Sequence, residues 1–187
     1  MSLGVPLPVP MHALAVALAL TAVLATAEGS YVNNWQGPFQ FRCPSNQVLS
    51  SFYSIFSGAF LDRRWMFACR PAPLSARPTT CQWSETVSSR VMSHVCAENQ
   101  VLVGVRGEYD TQTNDRGLRF ECCEDADFTV SACQWTDYRN VWEGVLDYTV
   151  PASMVVVGTS SLYSEQLEDR RHRFRICSYE RRTETEN

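Results

Sequence analysis

Asp62-Arg63-Arg64-Trp65-Met66-Phe67-Ala68-Cys69 decides how this chain is read. It returns as Asp115-Arg116-Gly117-Leu118-Arg119-Phe120-Glu121-Cys122, and again as Asp169-Arg170-Arg171-His172-Arg173-Phe174-Arg175-Ile176. The copies begin 53 and 54 residues apart, so one structural unit is used three times. Working outward, Cys96-Ala97-Glu98-Asn99-Gln100-Val101-Leu102 matches Cys43-Pro44-Ser45-Asn46-Gln47-Val48-Leu49. Cys81-Gln82-Trp83 likewise returns as Cys133-Gln134-Trp135. Cys43 to Asp62, Cys96 to Asp115 and Val150 to Asp169 each span 19 residues.

Inside these spans the apolar residues alternate or are β-branched and aromatic, as in half-buried strands. Phe39 to Cys43 reads as a strand, Pro44-Ser45-Asn46 as a turn, and Val48 to Phe60 as a strand leading into the octet. In unit two the corresponding strand is Val101 to Tyr109. No helical periodicity longer than a turn competes. The expectation is a single all-β, disulfide-rich domain of three repeats of ~53 residues. Each unit, about 31–70, 81–123 and 133–177, should have about four short strands around a pseudo-threefold axis. A β-trefoil and a three-sheet prism both satisfy that count. Arg70 to Thr80 and Glu124 to Asp127 read as connectors, and 181–187 as a charged tail.

The chain opens with an apolar run, Ala13 to Leu24, followed by Ala25-Thr26-Ala27. That pattern predicts a signal peptide over 1–27, with Met11 an alternative initiator and a membrane anchor the competing reading. All eight cysteines lie beyond it, an even number, which predicts a disulfide framework in a secreted chain. A zinc site is the rival, but no Cys-x-x-Cys spacing supports it.

The repeat constrains the pairing. Four slots in each unit can hold cysteine: Asn33, Cys81 and Cys133; Cys43, Cys96 and Val150; Cys69, Cys122 and Ile176; Arg70, Cys123 and Cys177. The second and third slots are filled or emptied together, and so are the first and fourth. The favoured scheme is therefore Cys43–Cys69, Cys96–Cys122, Cys81–Cys123 and Cys133–Cys177. Cys123–Cys133 with Cys81–Cys177 is the alternative. Adjacent Cys122 and Cys123 should point to opposite faces of one strand.

Alternation splits each octet into two faces. Phe67, Phe120 and Phe174 recur without exception and mark the inward face. Arg63, Arg116 and Arg170 stand at its head and read as structural, each anchored to a carboxylate or to turn carbonyls; three equivalent anion sites are the alternative. Asp62, Asp115 and Asp169 read as turn residues or arginine partners. On the opposite face the third copy alone carries Arg171, Arg173 and Arg175. With Arg181 and Arg182 these are the candidate polyanion-binding residues. A solvated face neutralised by Glu165, Glu168, Asp169 and Glu180 is the competing reading. Trp35, Trp83 and Trp135 read as core or inter-unit packing, with sugar stacking as the alternative. All sixteen basic residues are Arg, whose planar fork suits sulfate and carboxylate. The net charge of −4 is mild, and nucleic acid is not an expected partner. No nucleophile or metalloprotease motif is present, so neither enzyme activity, cofactor nor metal is expected.

The Asp-Arg-x-x-x-Phe-x-Cys octet, the Cys-x-x-x-Gln-Val-Leu segment and the paired Cys122-Cys123 resemble the dermatopontin family over nearly all of 28–180. The resemblance implies a secreted, non-enzymatic extracellular matrix protein. Its implied partners are proteoglycan or glycosaminoglycan, collagen, or cell-surface glycans, with no membrane span after signal cleavage. A soluble multivalent lectin or haemagglutinin is the second function it implies.

Overall fold

Each unit is built on a long hairpin whose second strand begins with the octet. In a computed structural model, which describes residues 30–72, 80–124 and 128–181, eleven strands form and no helix occurs among those residues. The predicted signal peptide, Arg182 and the rest of the tail lie outside the described residues. Unit one contributes β1 (Phe39–Arg42), β2 (Gln47–Ser57) and β3 (Asp62–Pro71). Unit two contributes β4 (Thr80–Trp83), β5 (Val91–Val95), β6 (Gln100–Asp110) and β7 (Asp115–Glu124). Unit three contributes β8 (Phe128–Trp135), β9 (Leu146–Thr149), β10 (Met154–Ser164) and β11 (Asp169–Arg181).

The hairpins β2–β3, β6–β7 and β10–β11 are antiparallel, and their turns end on Leu61, Asn114 and Glu168. All three adopt positive φ, at 52°, 49° and 47°. A left-handed residue at this point closes a hairpin with the right twist, and the repeat holds even without glycine.

The strands separate into three sheets, ordered β1-β6-β7-β4, β5-β10-β11-β8 and β3-β2-β9. That is the prism-like alternative. In each sheet the short strand preceding one unit's hairpin pairs with the next unit's hairpin: β1 with β6, β5 with β10, and β9 with β2. The exchange runs round all three units and closes on itself. Four strands per unit holds for units two and three. Unit one has three among the described residues. β11 also runs further than expected, so Arg181 is a strand residue rather than tail.

The central core collects the inward face of every hairpin: Leu49, Phe52, Trp65, Leu102, Phe120, Leu146, Val156 and Phe174, with Phe67 packed against it. Each fully buried side chain of this size stabilises the fold by about 1.5–3 kcal/mol. A second cluster, away from the hairpin turns, is headed by the equivalent residues Val48, Val101 and Val155.

The disulfides are Cys43–Cys69, Cys96–Cys122, Cys81–Cys123 and Cys133–Cys177. They close loops of 26 to 44 residues. Each contributes about 3–4 kcal/mol through loop entropy. Cys122 lies in the central core and Cys123 in the second cluster, on opposite faces of β7. In unit three, Val150 and Ile176 are both buried in the central core where the other units carry a bridge. In unit one the empty fourth slot is taken over by Arg70. It donates to the carbonyls of Val150 and Pro151, each at 2.8 Å, and to that of Met154, and so ties unit one to unit three.

Candidate polyanion-binding surface

The heads of the three octets meet at the turn end of the hairpins. Arg63 clamps Asp169 through Nε (2.6 Å) and Nη2 (2.7 Å). Arg116 clamps Asp62 through Nε (3.2 Å) and Nη2 (2.7 Å). Arg170 clamps Asp115 in the same two-pronged way, with Nε at 2.7 Å. Each arginine thus holds the aspartate of the preceding unit, and the three pairs form a closed ring. Further donors reach Gly144 O and Ser54 Oγ, Gly37 O, and Ser89 O and Ser161 Oγ, respectively. All three arginines are buried, as are Asp62 and Asp169. Although Asp62 and Asp169 alternate onto the outward face in sequence, the turn folds them back into the neighbouring unit. The pocket beside the ring is small, about 30 Å³, on the scale of one or two waters.

His172 occupies the octet position held by Trp65 and Leu118. It packs edge-on against Trp65 in the core. Burial, with Arg63 and Arg170 nearby, holds its imidazole well below the ordinary histidine range. The only cluster of metal-type ligands among the described residues is His94, Cys96 and Cys122. Both of its sulfurs belong to the Cys96–Cys122 disulfide, so neither can serve as a thiolate ligand.

The outward face of β11 is different. Arg171, Arg173 and Arg175 are half-buried, and none forms an ion pair or donates a hydrogen bond among the described residues. Two of the neutralising carboxylates expected beside them are engaged elsewhere. Asp169 holds Arg63, and Glu168 accepts from Asn114 Nδ2 at 2.9 Å. Instead Arg171 and Arg173 are layered between aromatic rings. Arg173 lies over Trp135 at 5.0 Å and Tyr138 at 5.5 Å. Arg171 lies over Tyr138 at 4.5 Å and Trp142 at 5.7 Å. The order is Trp135, Arg173, Tyr138, Arg171, Trp142. Each such contact is worth about 0.5–1 kcal/mol at an exposed site, enough to hold a guanidinium in one plane without neutralising it. Arg181 stands apart, about 20 Å further along β11 at 3.3 Å per residue.

Trp135 is 37% exposed, and Trp35 and Trp83 are half-buried outside the core, which corrects the expectation that these tryptophans pack inside. The slot assignment of Asn33 also changes. Asn33 donates through Nδ2 to Arg63 O (3.0 Å) and accepts from Trp65 N (2.8 Å). Asn140 does the same with Arg170 O and His172 N, each at 2.8 Å. Asn33 is therefore the counterpart of Asn140, not of Cys133. The shared motif is Tyr31-x-Asn33-x-Trp35-Gln36-Gly37 and Tyr138-x-Asn140-x-Trp142-Glu143-Gly144. Its signal was present in the sequence, since each asparagine stands ten residues before the second slot, at Cys43 and Val150.

The family model described as Dermatopontin matches residues 33–181, which contain the whole ring and every disulfide. The chain belongs to the dermatopontin family. A Limulus polyphemus protein, "Hemagglutinin/amebocyte aggregation factor", is 30% identical over 89% of this chain and 97% of its own length. The dermatopontin of Biomphalaria glabrata is 29% identical over 79% of this chain and 99% of its own. Human dermatopontin is 30% identical over 81% and 78%. No solved structure matches the chain. Dermatopontin is an extracellular matrix family, and four disulfides suit an oxidising compartment.

Proposed function

We propose that this dermatopontin-family chain is a secreted matrix and cell-adhesion protein that binds the glycosaminoglycan chains of proteoglycans through Arg171, Arg173 and Arg175. One observation carries the reading: Arg171 and Arg173 are fixed between Trp135, Tyr138 and Trp142, and neither they nor Arg175 has a carboxylate partner among the described residues. A planar, pre-oriented guanidinium matches sulfate and carboxylate, and the flanking rings suit the apolar face of a pyranose. Proteoglycan binding would place the protein on the fibrous matrix, where collagen and cell-surface glycans are further candidate partners. The inward Arg63, Arg116 and Arg170 are buried, each paired with an aspartate, and serve the fold.

The test is retention on immobilised heparin across a salt gradient. Wild type should bind, and the slope of log affinity against log salt should fall by roughly one for each arginine replaced. Unchanged retention of an Arg171→Ala, Arg173→Ala, Arg175→Ala variant would refute the assignment.

A lectin reading has its own support in a cleft of about 370 Å³ between units two and three. It is lined by Ser89, Arg90, Asp110, Asp115, Tyr163 and Glu165, groups able to hydrogen-bond sugar hydroxyls. Red-cell agglutination that a neutral monosaccharide inhibits, at salt high enough to abolish heparin retention, would favour it.

A further inference from the structure

The arginine–aromatic arrangement of unit three has a close copy in unit one. Arg64 is the octet counterpart of Arg171. Its guanidinium lies 4.1 Å from the Tyr31 ring and 5.7 Å from Trp35. For Arg171 the distances to Tyr138 and Trp142 are 4.5 and 5.7 Å. The loops that carry these rings are locked identically. The paired asparagines grip the octet backbone, and Gln36 N and Glu143 N donate to Asp62 and Asp169, each at 2.7 Å. Both residues adopt positive φ, 57° and 58°. Arg64 donates one hydrogen bond, from Nε to Asn33 O at 3.2 Å, and forms no ion pair among the described residues. Trp35 is backed by Phe60, stacked at 5.3 Å.

Unit two lacks every element of this arrangement. Gly117 stands where the arginine would be, Thr86 where the tyrosine would be, and Arg90 in place of the tryptophan. The backbone pattern is nevertheless retained, since Val87 pairs with Leu118 as Val32 does with Trp65 and Arg139 with His172. The difference is one of side chains on a common frame.

We infer that Arg64, with Tyr31 and Trp35, forms a second site for sulfated or carboxylated saccharides, so that one chain bridges two glycan chains. The inference rests on the glycosaminoglycan reading of unit three. The two sites stand on β3 and β11, strands of different sheets. Two linked sites raise avidity for a polymer or a coated surface without any new contact. The arrangement provides for cross-linking by a monomer.

The test is calorimetric titration with a size-defined heparin octasaccharide, read together with light scattering on mixing with full-length heparin. Wild type should bind two octasaccharides and cross-link heparin. Arg64→Ala should bind one and lose cross-linking, and Arg171→Ala with Arg173→Ala should also bind one. If Arg64→Ala folds poorly, Arg64→Gln gives the same reading with most of the stem retained. One octasaccharide on wild type, lost with Arg171 and Arg173 but indifferent to Arg64, overturns the second site and leaves the proposed function standing. No binding by wild type overturns both.

Discussion

Replacing Arg63 with methionine isolates what the arginine–aspartate ring contributes. Arg63 and Asp169 are 5% and 1% exposed, so water cannot take over when the cation goes. Asp169 accepts from Arg63 Nε, Arg63 Nη2 and Glu143 N, and in the variant only the Glu143 donor remains. Two lost bonds to a charged group, at about 1.5–3 kcal/mol each, amount to about 3–6 kcal/mol. Breaking one side of a buried pair typically costs about 3–5 kcal/mol, whereas an exposed pair contributes about 0.2–1 kcal/mol. Arg63→Met should therefore lower the unfolding free energy by about 3–5 kcal/mol, measured by urea denaturation with disulfides intact. Adding Asp169→Leu removes the stranded charge and should recover about 2 kcal/mol. Recovery stays incomplete, because Ser54 Oγ and Gly144 O still lack their donor. A single-variant loss below about 1 kcal/mol, or a double variant no more stable than the single, would refute the reasoning.

Three further outcomes follow from the same structure. Val150→Cys with Ile176→Cys should form the bridge that unit three lacks, since the equivalent Cα–Cα distances are 5.7 Å in units one and two. With a 26-residue separation like theirs, the gain should approach about 3 kcal/mol, and a mass shift on alkylation checks the bond. His172 has a depressed folded pKa, so its contribution is complete above the unfolded value near ~6.5 and falls as pH drops below it. Wild type should lose about 1.4 kcal/mol between pH 7.5 and 5.5 that His172→Leu does not, measured as unfolding free energy at both pH values. Arg70→Ala should loosen the seam between units one and three, seen as faster amide exchange around Val150 to Met154 with little change in unit two.

The repeat made much of this legible. Paired loss of cysteines in the slots identifies which sulfurs meet, because a half-lost bridge would leave a thiol. Recurrence of Phe67, Phe120 and Phe174 identifies the inward face. What the sequence did not reveal is which neighbour each octet head reaches. Asp62 stands beside Arg63 in the chain yet binds Arg116, because the hairpin turn directs the carboxylate across the axis into the next unit. The arginine–aromatic stack escaped for a different reason. Trp35 invites alignment with Trp83 and Trp135, and that register hides the Tyr-x-Asn-x-Trp segment shared by units one and three. Unit two is two residues shorter between its Ser88 and Cys96 than unit one is between Asn33 and Cys43, so the match is not periodic across all three copies.

The central claim is a division of labour between two sets of arginines on the same strands, and arginine Nε–H resonances report on each set separately. Titration with a heparin octasaccharide should shift the signals of Arg64, Arg171, Arg173 and Arg175 and leave those of Arg63, Arg116 and Arg170 in place. Shifts confined to the ring arginines, or an outward set that does not respond while the protein binds, would contradict the account.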